Sequence, residues 1–141
     1  MASRSQIYPL ARQGFAGASL NWVGVSIKVL LMAAPYNPDF TNVYLSDLQA
    51  EASALILATS STITNPTINN GYLGGDSVNF GVISGGAPAG SVVFYSDTGT
   101  PSTSLLLAFL DTPDISGMPQ VLSGLNYFLY QNQSYGGWFR L

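Results

Sequence analysis

Short apolar blocks recur along this chain, separated by segments rich in Gly, Pro, Asn and Asp. Every second residue is apolar from Val23 to Leu31 and again from Val78 to Val82, which predicts two strands with one apolar face each. The block from Ala54 to Ile63 predicts a further strand. About eight such short strands favour an all-β dominated fold, either a β-sandwich or a barrel-like sheet. No linker or internal repeat divides residues 1–141, so we expect a single domain.

The N-terminal segment has a helical rather than a strand-like spacing of apolar residues. Within residues 5–17 the apolar positions fall three or four apart, Pro9 suits a first helical turn, and Gly14 and Gly17 are candidate stops. This predicts a short helical arm over about residues 3–17. The arm either caps the core of its own chain, which we favour, or grasps a partner, in which case Arg12 and Phe15 are its candidate contact residues.

A second, smaller helix is expected after the loop "PYNPDFTN". The segment "VYLSDLQAE", residues 43–51, mixes apolar and acidic residues over one or two helical turns. Thr41 or Asn42 is a candidate N-terminal cap, because short polar side chains accept hydrogen bonds from the first helical amides.

The most apolar part of the chain is the stretch "VVFYSDTGTPSTSLLLAFLD". The sequence predicts two strands, Val92–Tyr95 and Leu105–Leu110, and a hairpin loop formed by the polar segment between them. In that loop Gly99 can supply a positive φ, Asp97 can accept bonds from turn amides, and Pro101 opposes regular pairing. Strands that are apolar on both faces need a cover on each face. The chain's own N-terminal helix is the favoured cover, and another copy or a partner is the alternative.

The composition excludes several classes of function. Hydrophobic residues make up 47% of the chain and charged residues only 8%, well below the roughly 25% of ordinary soluble domains. Four basic residues against seven acidic ones give a net charge of −3, which argues against nucleic acid or an anionic membrane as a partner. No apolar run is long enough for a membrane-spanning helix, and no apolar signal segment follows the first arginines.

Reactive side chains are scarce. Cysteine and histidine are absent, which removes disulfides, thiolate nucleophiles, imidazole bases and most zinc sites. Asp111 and Asp114 lie close in "DTPD", which we interpret as a proline turn; a calcium loop there is the lesser alternative. We therefore expect no enzyme activity, no cofactor and no metal site.

Aromatic residues crowd the last fifteen positions of the chain. Tyr and Trp are enriched at protein interfaces, because they bury a large area and keep a polar group. We expect Phe128 and Phe139 to fill the core, and we assign interface or ligand contact to Tyr130, Tyr135 and Trp138, which neighbour Gln and Gly.

The order of these segments resembles one family along nearly the whole chain. An N-terminal helix is followed by "SIKVLLM", "YLSDL", a Thr-rich strand, "NNGYLGGDSVNFGVISGGA", the apolar hairpin and a closing "WFRL". This order is similar to small virion structural proteins of tailed bacteriophages, of the capsid decoration or cement type. The resemblance implies a protein on the outer surface of the capsid that binds the major capsid protein and copies of itself, as a homotrimer, without nucleic acid or membrane.

Two other functions remain open at this point. A neck, tail or fibre-base protein of the same virion would have a similar composition. A carbohydrate-binding module would need a row of aromatic side chains on one face, which Tyr130, Tyr135 and Trp138 could form.

Overall fold

The computed structural model describes residues 4–84, 88–111, 123–130 and 137–141. Within these ranges the chain forms ten strands, paired antiparallel, and two α-helices, which confirms the all-β dominated fold. The helices are α1 (Pro9–Ala16) and α2 (Leu45–Ala52). The strands are β1 (Gln6–Ile7), β2 (Ile27–Ala33), β3 (Ile56–Thr59), β4 (Thr67–Asn69), β5 (Tyr72–Gly74), β6 (Val78–Ser84), β7 (Ala89–Ser96), β8 (Leu106–Asp111), β9 (Ser123–Leu129) and β10 (Phe139–Arg140).

The described strands form three sheets. The main sheet has the order β1-β8-β7-β2-β3, a smaller one has the order β10-β5-β4, and β6 pairs with β9 as a ribbon. Within the main sheet β7 is central and pairs with β2 along its whole length. This arrangement is sandwich-like, as the spacing of short apolar blocks predicts.

The apolar hairpin forms as expected. Strands β7 and β8 pair in the register Val93 with Phe109, and every residue in both strands is buried. In the connecting loop Gly99 has a φ of 86°, and the Asp97 carboxylate accepts a hydrogen bond from its amide at 3.0 Å. The loop therefore closes with the chemistry that its sequence predicts.

One face of the main sheet is covered by an aromatic cluster around Phe94. Its ring centroid lies 5.4 Å from that of Trp138, 5.3 Å from that of Phe139 and 6.1 Å from that of Trp22. The Trp22 indole N–H donates to the carbonyl of Gly74 in β5 at 2.8 Å. Trp22 thus links the smaller sheet to the main sheet through this hydrogen bond and its ring contact with Phe94.

The opposite face is covered by the loop that precedes α2. Side chains alternate along a strand, so Phe109, which pairs with Val93, lies on the face away from Phe94. Its ring contacts Tyr36 at 5.9 Å and Phe40 at 6.1 Å, and Phe40 contacts Tyr8 at 5.2 Å. Both covers come from this chain, so the alternative that another copy hides these strands is wrong. The rings on Phe109 come from this loop, however, and not from the N-terminal helix that the sequence favours as the cover.

The N-terminal segment packs on its own chain. Strand β1 pairs with β8, and Tyr8 and Ala11 are fully buried. The Arg4 backbone N–H donates to the Asp111 carboxylate at 3.0 Å, and the Arg4 side chain forms an ion pair with it. The segment is therefore a short strand followed by a helix, rather than helical throughout.

Pro9 opens α1 and Gly17 ends it, as predicted, but Gly14 lies inside the helix. A Cβ on Gly14 would meet the Leu20 side chain at 2.7 Å, so this glycine admits the chain that folds back after the helix.

The start of α2 differs from the prediction. Neither Thr41 nor Asn42 is the cap; the helix starts after Tyr44. The Asp47 carboxylate reaches back and accepts hydrogen bonds from the amides of Val43 and Tyr44 at 3.0 and 2.9 Å. Asp47 therefore supplies the half of a capping box that reaches back to the N-cap amide, whereas a capping hydroxyl or amide would have accepted from amides inside the first turn.

The sequence pattern also misplaced one strand and missed a hairpin. Strand β2 begins at Ile27, because the chain turns at Asn21 and leaves Val23 exposed, and β2 is buried on both faces from Val29 onward. Asn70 and Gly71 have φ values of 50° and 83° and join β4 to β5. Positive φ at both central residues of a two-residue loop is the geometry that Asn-Gly favours.

We expect Tyr8→Ala to destabilise the fold by about 3 to 5 kcal/mol, because it empties a fully buried aromatic site. Leu10→Ala is the matched control, since Leu10 follows two residues later and is 41% exposed. Its cost is expected to stay below about 1 kcal/mol. Urea unfolding of both variants checks this, and a Tyr8 variant as stable as the control would mean that the arm does not belong to the core.

Alkaline pH is expected to unfold the protein. Burial raises the pKa of the Tyr95 hydroxyl from 10.0 to about 12. Burial also raises the pKa values of Tyr8, Tyr36 and Tyr127. The unfolded chain therefore releases these protons first, so stability is full below pH 10 and is lost as the pH rises towards 12.

Tyrosinate absorbance followed together with circular dichroism checks this expectation. The buried tyrosines should ionise in the same transition that unfolds the sheets. Complete ionisation of all eight tyrosines while the circular dichroism stays native would contradict it.

Candidate interaction surface

The ribbon formed by β6 and β9 has one buried face. Val78 and Phe80 of β6 and Tyr127 and Leu129 of β9 point to this side, and the rings of Phe80 and Tyr127 lie 5.9 Å apart. Since successive side chains point to opposite faces, the residues between them belong to the outer face.

A β-bulge at Gly81 shifts the alternation of inward-facing and outward-facing side chains along β6. Asn79 pairs with Phe128 and Val82 pairs with Asn126, so three steps along β6 match two steps along β9. Gly81 has a φ of 81°, and its amide donates to the Asn79 side-chain oxygen at 2.8 Å. The extra residue turns Val82 outward, so the prediction that Val78, Phe80 and Val82 share one face is wrong at Val82.

The outer face consequently presents large apolar side chains to solvent. Val82 is 65% exposed, Tyr130 is 60% exposed and Phe128 is 41% exposed. The rings of Phe128 and Tyr130 are nearly parallel, at 24°, with centroids 5.9 Å apart. We refer to Val82, Phe128 and Tyr130 as the aromatic face. No Asp, Glu, Lys or Arg occurs in β6 or β9.

The predicted C-terminal contact residues separate in the structure. Tyr130 is exposed as expected, but Trp138 is only 8% exposed and packs on Phe94, so it serves the core. Phe139 is buried as predicted, whereas Phe128 is exposed on the outer face. Tyr135 lies outside the described residues. Because Trp138 points inward, the aromatic row expected of a carbohydrate-binding module does not form with it.

The candidate contact residues of the arm also differ from each other. Phe15 is half-buried and packs against the core. Arg12 is exposed and lines a small pocket together with Arg140. Sequence reasoning identified Arg12 but not Arg140, because the two residues are far apart in the chain and meet only when β10 closes the smaller sheet.

A second apolar surface flanks α1. A groove of about 460 Å³ runs between this helix and the start of α2, and it is lined by Leu10, Leu20, Tyr44 and Leu105 among others. Leu10 and Tyr44 are both exposed there. Gln13 and Ser19 also line the groove, so its surface is partly polar.

The acidic residues do not gather into a metal site in the described part of the chain, where no three potential metal ligands come together. The Asp111 carboxylate, the first half of the calcium alternative, is held by Arg4, and Asp114 lies outside the described residues. Among the described helices, none has the length and hydrophobicity needed to cross a membrane.

No protein-family model matches this chain, and no curated protein matches it in sequence. A function for the chain therefore rests on its own residues and on how the fold arranges them.

The bulge at Gly81 gives a testable consequence. We expect Gly81→Ala to destabilise the protein by about 1 to 2 kcal/mol, because a side chain opposes positive φ. Nothing lies within 4 Å of the added Cβ, so the cost comes from the backbone alone. Gly81→Asn should cost less, since Asn tolerates this conformation. Urea unfolding measures both, and equal stability of all three proteins would rule out the bulge.

Proposed function

We propose that this protein is a decoration protein of a tailed-bacteriophage capsid, which binds the outer surface of the shell through its aromatic face. Its partners are the major capsid protein and copies of itself, as a homotrimer. The segment order along the chain supports this assignment, as does a surface suited to protein contact. The observation that carries the proposal is the exposed aromatic face on the β6–β9 ribbon.

The aromatic face has the properties of an interface centre. Rigid aromatic residues contribute strongly to binding, because they bury a large area while losing few rotamers. Phe128 lies on β9 and Tyr130 directly follows that strand, and their rings already lie against each other. A two-stranded ribbon is only marginally stable by itself, so a partner that covers its outer face also stabilises the ribbon.

The charge distribution fits contact with a large protein assembly. The ribbon strands carry no charged residue, so contact through them desolvates no charge of this chain and should depend little on salt. Charged residues are depleted from interface centres for the same reason. Repetition of one modest contact over a symmetric shell raises the overall affinity through multivalency.

The self-contained core supports the same function. Both faces of the main sheet are buried within one chain, so the folded protein can be added to a shell that is already assembled. Binding would then need little rearrangement, which lowers its entropic cost.

The test compares binding of two variants to purified capsids that lack the protein. Phe128→Ser with Tyr130→Ser removes most of the aromatic face. Ile68→Ser is the matched control, because Ile68 is 55% exposed on β4, in a different sheet. We expect the double variant to bind about 100-fold more weakly or worse, and the control to bind like the wild type.

Both variants must show native circular dichroism for the binding comparison to be valid. We expect native folding because all three substituted side chains are exposed. Equal binding of the double variant and the control would overturn the role of the aromatic face. The copy number per virion tests the placement. A number that matches the capsid lattice supports decoration, whereas a single ring of copies would instead indicate a neck, tail or fibre-base protein.

A further inference from the structure

We propose that the pocket between β1 and β10 binds a carboxylate group carried on a short aliphatic chain. This site is separate from the aromatic face and does not depend on the function proposed above. Its rim carries the exposed residues Arg12, Arg140 and Gln6, and its floor is formed by the buried residues Ile7, Leu110 and Phe139. Two cationic groups therefore stand over an apolar floor.

The charge pattern of the whole chain sets this pocket apart. Of the four basic residues, Arg4 pairs with Asp111, and Lys28 pairs with Asp97 at 3.1 Å. Arg12 and Arg140 form no ion pair within the part of the chain that the structure describes, and both line the same pocket. An anion bound in this pocket would therefore have two cationic partners and no competing carboxylate among the lining residues.

One of the two guanidinium groups is already oriented. The Arg140 guanidinium lies over the Tyr72 ring, 5.3 Å from its centroid, which restricts its motion by a cation–π contact. A planar guanidinium binds a carboxylate with two parallel hydrogen bonds, so an oriented one loses less entropy on binding.

The size and lining of the pocket narrow the ligand class. Its volume of about 140 Å³ lies well below the roughly 300 Å³ of the smallest typical pockets for drug-sized ligands. The apolar floor favours a hydrocarbon stem over a fully hydrated oxyanion such as phosphate. A glutamate side chain of another protein and a free short-chain carboxylic acid both present this chemistry.

Nuclear magnetic resonance of the arginine Nε–H groups tests the proposal on the intact chain. The sequence contains three arginines, so three signals are expected, and Arg4 serves as an internal control because its Nε lies 3.3 Å from the Asp111 carboxylate. Butyrate is the first probe. We expect saturable shifts of the Arg12 and Arg140 signals while the Arg4 signal stays in place.

Variants and a second anion sharpen the test. Arg12→Gln should weaken butyrate binding, read from the Arg140 signal, by about 10-fold or more, because a charge-assisted hydrogen bond is lost. Lys28→Gln removes the same charge away from the pocket and should leave the affinity unchanged. Inorganic phosphate should bind more weakly than butyrate.

A glutamate blocked as its N-acetyl methylamide distinguishes the two possible sources of the carboxylate, which are a side chain of a partner protein and a free short-chain acid. Binding as tight as that of butyrate indicates an acidic side chain of a partner protein, and binding of butyrate alone indicates a free acid. Parallel, unsaturable shifts of all three arginine signals would overturn the proposal. An equal loss of affinity in the Lys28 variant, or phosphate binding as tight as butyrate binding, would overturn it as well.

Discussion

Strands β7 and β8 carry apolar side chains on both faces, and the burial of both faces within one chain is the constraint on which the rest of this structure depends. Phe94 packs against Trp22, Trp138 and Phe139 on one side of the sheet. On the other side, Phe109 packs against Tyr36 and Phe40, which belong to the loop before α2. Since exposed apolar strands tend to aggregate, a chain with few charged residues must cover this sheet completely.

A separate element outside the enclosed sheet carries exposed aromatic side chains. Once the main sheet is enclosed, the β6–β9 ribbon remains a two-stranded element with its own aromatic face, which Gly81 extends by turning Val82 outward. The apolar residues that fill the core are therefore distinct from those of the aromatic face. We propose partner contact instead for Phe128, near the end of β9, and for Tyr130, which directly follows that strand.

The sequence patterns predicted the parts of the fold that local chemistry determines. The β7–β8 hairpin follows from Gly99 and Asp97, and the start of α1 follows from Pro9. The Asn70–Gly71 hairpin also has a local signal, because Asn-Gly favours a two-residue turn with positive φ at both positions. A glycine inside an alternating strand pattern indicates a bulge, so Gly81 could have corrected the orientation of Val82.

The rest of the structure depends on contacts between distant segments. Neighbouring polar residues made Trp138 look exposed, but its direction is set by Phe94, more than forty positions earlier in the chain. Likewise, Arg12 and Arg140 meet only through sheet topology.

Sequence alone therefore predicted the fold class and the exposure of Tyr130, but not how the exposed aromatic residues are arranged. Side-chain direction near the chain ends is decided by what packs there, which composition and local pattern do not encode.

Hydrogen exchange of the β2, β7 and β8 amides tests the central claim most directly, if it is measured on protein dilute enough to sediment as a single chain. We expect these amides to be the slowest to exchange and to exchange only by global unfolding. Fast exchange in the dilute protein, with protection that appears only when copies associate, would show that the sheet is not covered by its own chain.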